Sequence, residues 1–195
     1  MAGQRRESLT QCLDIPATIV DILGKPDGEP DTQPLNVNYS QGSSLLTTLA
    51  SDKKVREYAL YGLFGAALNI TDGTHTYFLY PEDCQAPLHE YTMMPVHPAS
   101  FFTLQEFSNA ELVHNMAFGN GYPMMKLPAL DSAKRPPMQG GEWGDAMTVL
   151  YNLQEDPLQQ HPLSDSQLEN TLRSAINAAL LENHAPSELF QRFAL

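Results

Sequence analysis

The feature of the sequence that most constrains the fold is an Asp-Gly pair between two runs rich in β-branched and aromatic residues. Asp72 and Gly73 separate residues 67–71 from residues 74–80. Asp-Gly is favoured in a two-residue type I′ β-hairpin, where both central residues need positive φ. Residues 58–64 offer a third strand. Because two strands alone are marginally stable in water, the sequence predicts an antiparallel ribbon of two or three strands with one buried face, which the rest of the chain covers.

The N-terminal region predicts a helix over residues 14–23. Asp14 is placed to cap its start, and Gly24 is placed to end it in a left-handed conformation. Residues 25–38 contain three prolines and several acidic residues, which predicts a loop or linker. The apolar residues of the helix recur at helical spacing and form one stripe: Ile15, Ile19, Ile22 and Leu23.

Two capping boxes predict further helices. Thr103 and Glu106 have the required spacing before a helix expected over residues 104–112. Ser164 and Gln167 have the same spacing before the clearest helical pattern of the chain. This C-terminal helix keeps one apolar face, made by Leu168, Leu172, Ala175, Ile176 and Ala179.

The remaining patterns complete an α+β fold. Residues 124–127 and 148–153 have strand character, and short helices are expected at residues 43–49 and 187–193. Residues 81–98, a mixture of proline and histidine, are expected to be the least regular part. The predicted fold is a small antiparallel sheet of about four strands that packs against a long C-terminal helix, with a separate N-terminal helix.

Composition excludes some classes of function. The 195-residue chain carries 11 basic and 23 acidic residues, a net charge of −12, which argues against binding nucleic acid because a phosphate backbone calls for a basic face. No apolar run approaches the roughly 20 residues of a membrane span. The first residues lack the apolar core of a secretory signal. Together with only two cysteines, Cys12 and Cys84, expected to be reduced thiols, this predicts a cytoplasmic protein that does not bind membranes.

The chain has no recognisable catalytic motif. It lacks a Gly-x-Ser-x-Gly elbow, a phosphate loop, a His-Glu-x-x-His pair and a Cys-x-x-Cys pair. Its six histidines do not have the spacing of a metal-ligand pair on a helix, so no metal site is predicted. Since loops often carry function, the candidates for contact with a substrate are His89, Tyr91 and His97.

Several segments, in order over nearly the whole chain, resemble the C-terminal part of type I sulfatases of the alkaline-phosphatase superfamily. The match at residues 13–24 is to a late family helix with the pattern D-I-x-P-T-x-x-D-x-x-G. Residues 42–46 resemble G-x-S-L-L, and residues 62–80 resemble the DG-x-Y-K-Y hairpin. Residues 150–157, LYNLQEDP, match L-Y-D-L-x-x-D-P. Two further stretches resemble one bacterial branch of the family, residues 95–98 and residues 185–190.

The resemblance implies a chain without the catalytic machinery of the family. Sulfatases use a Cys/Ser-x-Pro-x-Arg motif that yields a formylglycine nucleophile, and acidic pairs that hold a divalent cation, usually calcium. Both lie N-terminal to the matching segments, and Cys12 lacks the proline and arginine of the motif. No catalytic residue, metal ligand or cofactor can therefore be assigned to this chain by resemblance.

The resemblance also implies a division of the chain and a choice of partner. Residues 1–40 correspond to the end of the sulfatase catalytic domain, and residues 41–195 to the C-terminal subdomain. The expected function is a non-catalytic accessory or interaction domain, or part of a truncated sulfatase. The apolar surface left by a missing catalytic domain predicts either docking to such a domain or a homodimer. The alternative is a stand-alone hydrolase, or a module that binds sulfated ligands, using the loop with His89 and His97.

Overall fold

The computed structural model describes residues 3–23, 42–83, 86–94, 96–97, 100–129 and 147–195. The N-terminal part of the chain contains helices α1 (Asp14–Leu23) and α2 (Leu46–Ser51). The strands are β1 (Ala59–Gly62), β2 (Leu68–Thr71), β3 (His75–Leu79), β4 (His89–Thr92), β5 (Val96–His97), β6 (Ser100–Phe101), β7 (Glu111–Val113), β8 (Met124–Pro128) and β9 (Val149–Asn152). The other helices are α3 (Leu104–Phe107), α4 (Ser166–Glu182) and α5 (Ser187–Phe193), with a 3₁₀ turn at Ala117–Gly119.

A four-stranded antiparallel sheet in the order β1-β2-β3-β9 is the centre of the fold. Strand β9 comes from near the C-terminus and pairs with β3, so that Tyr77 lies opposite Leu150. The α+β class, the four-stranded sheet and the long C-terminal helix expected from the sequence are confirmed.

The hydrophobic core lies between one face of this sheet and helix α4. Helix α4 contributes Leu172, Ile176 and Leu180, which recur every four residues and therefore share one side of the helix. Helix α5 closes the end of the core with Phe193. The sheet contributes its inward-facing residues Ile70, Tyr77, Leu79 and Leu150.

The β2–β3 turn differs from the expected type I′ hairpin. Gly73 has a positive φ of 92°, but Asp72 does not have a positive φ. Instead, the Asp72 carboxylate accepts hydrogen bonds from the backbone N–H groups of Thr74 and His75. These hydrogen bonds to the Asp72 side chain stabilise the turn in place of the type I′ backbone geometry. The connection between the strands is therefore longer than the expected two-residue loop.

Three further boundaries differ from expectation. Helix α3 ends at Phe107 instead of residue 112, because residues 111–113 pair with β8 as strand β7. The N-cap of α4 is Asp165, one residue after the expected position, and its carboxylate accepts from the N–H groups of Gln167 and Leu168. The region expected to be irregular, residues 81–98, contains strand β4, which pairs with β8, and strand β5, which pairs with β6 just after that region.

None of the helices in the described ranges combines the length and apolar character needed to cross a membrane. Cys12 is exposed with a free thiol, whereas Cys84 and Gly24 lie outside the described residues.

Replacing Ile176 by alanine is expected to lower the free energy of unfolding by about 2–4 kcal/mol, because the side chain is fully buried between sheet and helix. Leu181→Ala on the same helix is the control, since Leu181 is 60% exposed, and it is expected to cost less than about 1 kcal/mol. Urea unfolding followed by circular dichroism measures both. Equal losses in the two variants would contradict this packing.

Candidate functional site

Helix α1 turns its polar side towards the protein and its apolar stripe outward. Asp14 and Thr18 are buried, whereas the stripe residues Ile15, Ile19, Ile22 and Leu23 are 49–73% exposed. A surface helix normally has the opposite arrangement, with its apolar stripe facing the core. The helix predicted from the sequence is present, and its stripe forms an exposed apolar surface. We refer to these four residues as the α1 stripe.

Asp14 fixes this orientation. Its carboxylate forms a bidentate ion pair with the Arg56 guanidinium and also accepts from the backbone N–H groups of Gln11 (2.7 Å) and Ser43 (3.0 Å). Asp14 was expected to cap its own helix. Instead it joins three separate segments, one of which leads directly into β1.

The other polar residues of α1 hold the segment before α2. Thr18 Oγ1 donates to the Asp14 carbonyl (2.7 Å) and accepts from the Leu45 N–H (2.9 Å). The Ser44 hydroxyl donates to the Asp21 carboxylate at 2.6 Å. The polar side of α1 is thus hydrogen-bonded to other parts of the chain, and the apolar side faces outward.

The charge of Asp14 is stabilised by these contacts. The hydrogen bond from Arg56 is the largest cause, and the backbone N–H groups of Ser43 and Gln11 add to it, so the pKa of Asp14 falls from 3.8 to about 2. The carboxylate therefore remains ionised over the physiological range, and Arg56 keeps its counter-charge.

Two of the predicted contact residues, His89 and Tyr91, lie on the same face of β4. His89 Nδ1 lies 2.6 Å from Glu188 Oε2, and its backbone N–H donates to the other carboxylate oxygen. The Tyr91 ring packs edge-on against Phe118 with centroids 5.2 Å apart, and burial raises the pKa of its hydroxyl. Glu188 thus fastens α5 to β4.

The third predicted residue, His97, belongs to a different sheet. Its Nε2 lies 2.5 Å from the buried carboxylate of Glu106, and its ring lies 4.3 Å from the ring of Phe102. Glu106 also completes the capping box with Thr103, whose N–H and hydroxyl both donate to it and lower its pKa. The predicted capping box is therefore confirmed, and the same carboxylate holds His97.

The structure places His89 and His97 on separate sheets, each beside its own carboxylate. Within the described ranges neither imidazole is hydrogen-bonded to a hydroxyl or thiol, and no group of three or more His, Cys, Asp or Glu side chains is arranged to hold a metal ion. A carboxylate can orient a neighbouring imidazole, and the imidazole can then accept a proton from a substrate. In this chain both pairs also join secondary-structure elements.

A groove of about 330 Å³ lies between the β1–β2 connection and α5. It is lined mainly by apolar residues, including Leu63, Phe64, Leu88 and Leu189. Arg192 is fully buried beside it and donates to the carbonyls of Gly65 (2.9 Å) and Ala86 (3.4 Å). No local pattern in the sequence predicts this groove, because its walls come from segments more than 100 residues apart.

Comparison with known proteins adds no relative: no protein-family model, no curated protein and no solved structure matches this chain. The residues that sequence reasoning missed are the partners of the polar groups, Arg56, Glu106 and Glu188. Glu106 was recognised as a capping residue but not as the partner of His97. Glu188 lies 99 residues from His89, and no local pattern connects the two.

Asp14→Asn is expected to make the free energy of unfolding depend less on pH in the acidic range. Since the pKa of Asp14 is lower in the folded state than in the unfolded state, its contribution is complete above about pH 5 and is lost as the pH falls towards 2. The loss in the unmodified protein amounts to about 1–2 kcal/mol.

Urea unfolding between pH 2.5 and 7 measures this effect. Asp165→Asn is the control, because Asp165 is exposed and asparagine still provides a capping oxygen. An Asp14→Asn protein with an unchanged acid slope would show that the carboxylate is not held by Arg56 as described.

Proposed function

We propose that this chain is the C-terminal part of a sulfatase-type fold, and that it docks onto a sulfatase-type catalytic α/β domain through the α1 stripe. It does not hydrolyse sulfate esters by itself. The nucleophile and the cation that sulfate-ester hydrolysis requires belong to the docked domain. The Cys/Ser-x-Pro-x-Arg motif of that family is missing from the chain, in line with this division of labour.

The observation that carries the proposal is the outward orientation of the α1 stripe. Four aliphatic side chains on one side of α1 remain 49–73% exposed, while its carboxylates, Asp14 and Asp21, and its one hydroxyl, Thr18, are hydrogen-bonded to other parts of the chain. Monomeric soluble proteins rarely expose contiguous apolar surface of this kind without a partner. Burial of each such side chain contributes about 1.5–3 kcal/mol when complete, so covering the stripe would be strongly favourable.

The position of the helix supports the choice of partner. In the resemblance, residues 13–24 match the late helix of the sulfatase catalytic domain, which packs against the α/β body of that domain. A helix that belongs to the layer of another domain should present its apolar side to that domain. The N–H of Leu45, the residue before helix α2, donates to Thr18 of α1, and Leu49 of α2 is itself half-exposed.

Docking is tested with a sulfatase catalytic domain that is expressed without its own C-terminal subdomain. The chain is expected to bind this domain, and Ile19→Asp is expected to weaken binding at least about tenfold, because it introduces a charge into the centre of the buried stripe. Leu158→Asp is the control, since Leu158 is 75% exposed and lies outside α1. Calorimetric titration that finds equal binding by both variants would contradict docking through α1.

In the absence of a catalytic domain, the same surface is expected to promote self-association. Sedimentation equilibrium at micromolar concentration should show dimers of the unmodified chain, and fewer dimers of Ile19→Asp than of Leu158→Asp. A purely monomeric protein at these concentrations would argue against an apolar docking surface.

A separate assay tests whether the chain catalyses hydrolysis by itself. The chain alone is expected to give no turnover of 4-nitrophenyl sulfate or 4-nitrophenyl phosphate with calcium or magnesium present. Turnover that disappears in His97→Ala and persists in His161→Ala would replace the proposal with the stand-alone hydrolase. His161 suits the control because its side chain is 84% exposed.

A further inference from the structure

We draw no further inference here: the strongest candidate, the apolar groove of about 330 Å³ between the β1–β2 connection and α5, carries nothing, because the Arg192 guanidinium beside it is fully buried and nothing in the structure shows what covers the groove.

Discussion

The ion pair between Asp14 and Arg56 connects the N-terminal helix to the sheet, and the orientation of that helix depends on it. Arg56 precedes β1, and Asp14 begins α1, so the pair joins elements 42 residues apart. Because the carboxylate also accepts from two backbone N–H groups, rotation of α1 about its axis would leave a buried charge and two N–H groups without partners. These contacts keep the aliphatic stripe of α1 on the outer side of the helix.

The two faces of the central sheet have correspondingly different roles. The inner face contributes Ile70, Tyr77, Leu79 and Leu150 to the core, which is covered by α4 and α5. The outer face carries Tyr61, Asn69 and Phe78, and the rings of Tyr61 and Phe78 meet edge to face. The histidines that the sequence drew attention to lie elsewhere, each beside a carboxylate that joins two elements. These contacts join β4 to α5 and β5 to α3.

Local signals in the sequence were enough for most of the secondary structure. The alternation in residues 67–80 and the four-residue spacing in α4 each reflect burial of one face. A periodic pattern of apolar residues predicts an element because one of its faces is buried. The strands β4 and β7 were missed because each is only a few residues long and is stabilised by pairing with β8. The orientation of α1 was beyond reach for a different reason. The apolar stripe of α1 predicts that one side of the helix is covered, but it does not identify what covers that side. The side that faces the protein depends on the ion pair between Asp14 and the distant Arg56.

The contacts of Arg192 join segments that are synthesised at different times, which affects how the chain folds. The Arg192 guanidinium binds carbonyls that lie 127 and 106 residues earlier, and Arg173 binds the carbonyls of Phe193 and Ala194. Since these contacts and the β3–β9 pairing are so distant in sequence, the β1–β3 meander emerges from the ribosome long before anything can cover its apolar face. That face stays exposed as an aggregation hazard until residues 149–193 have been synthesised, so the meander cannot pack into its final structure before they appear.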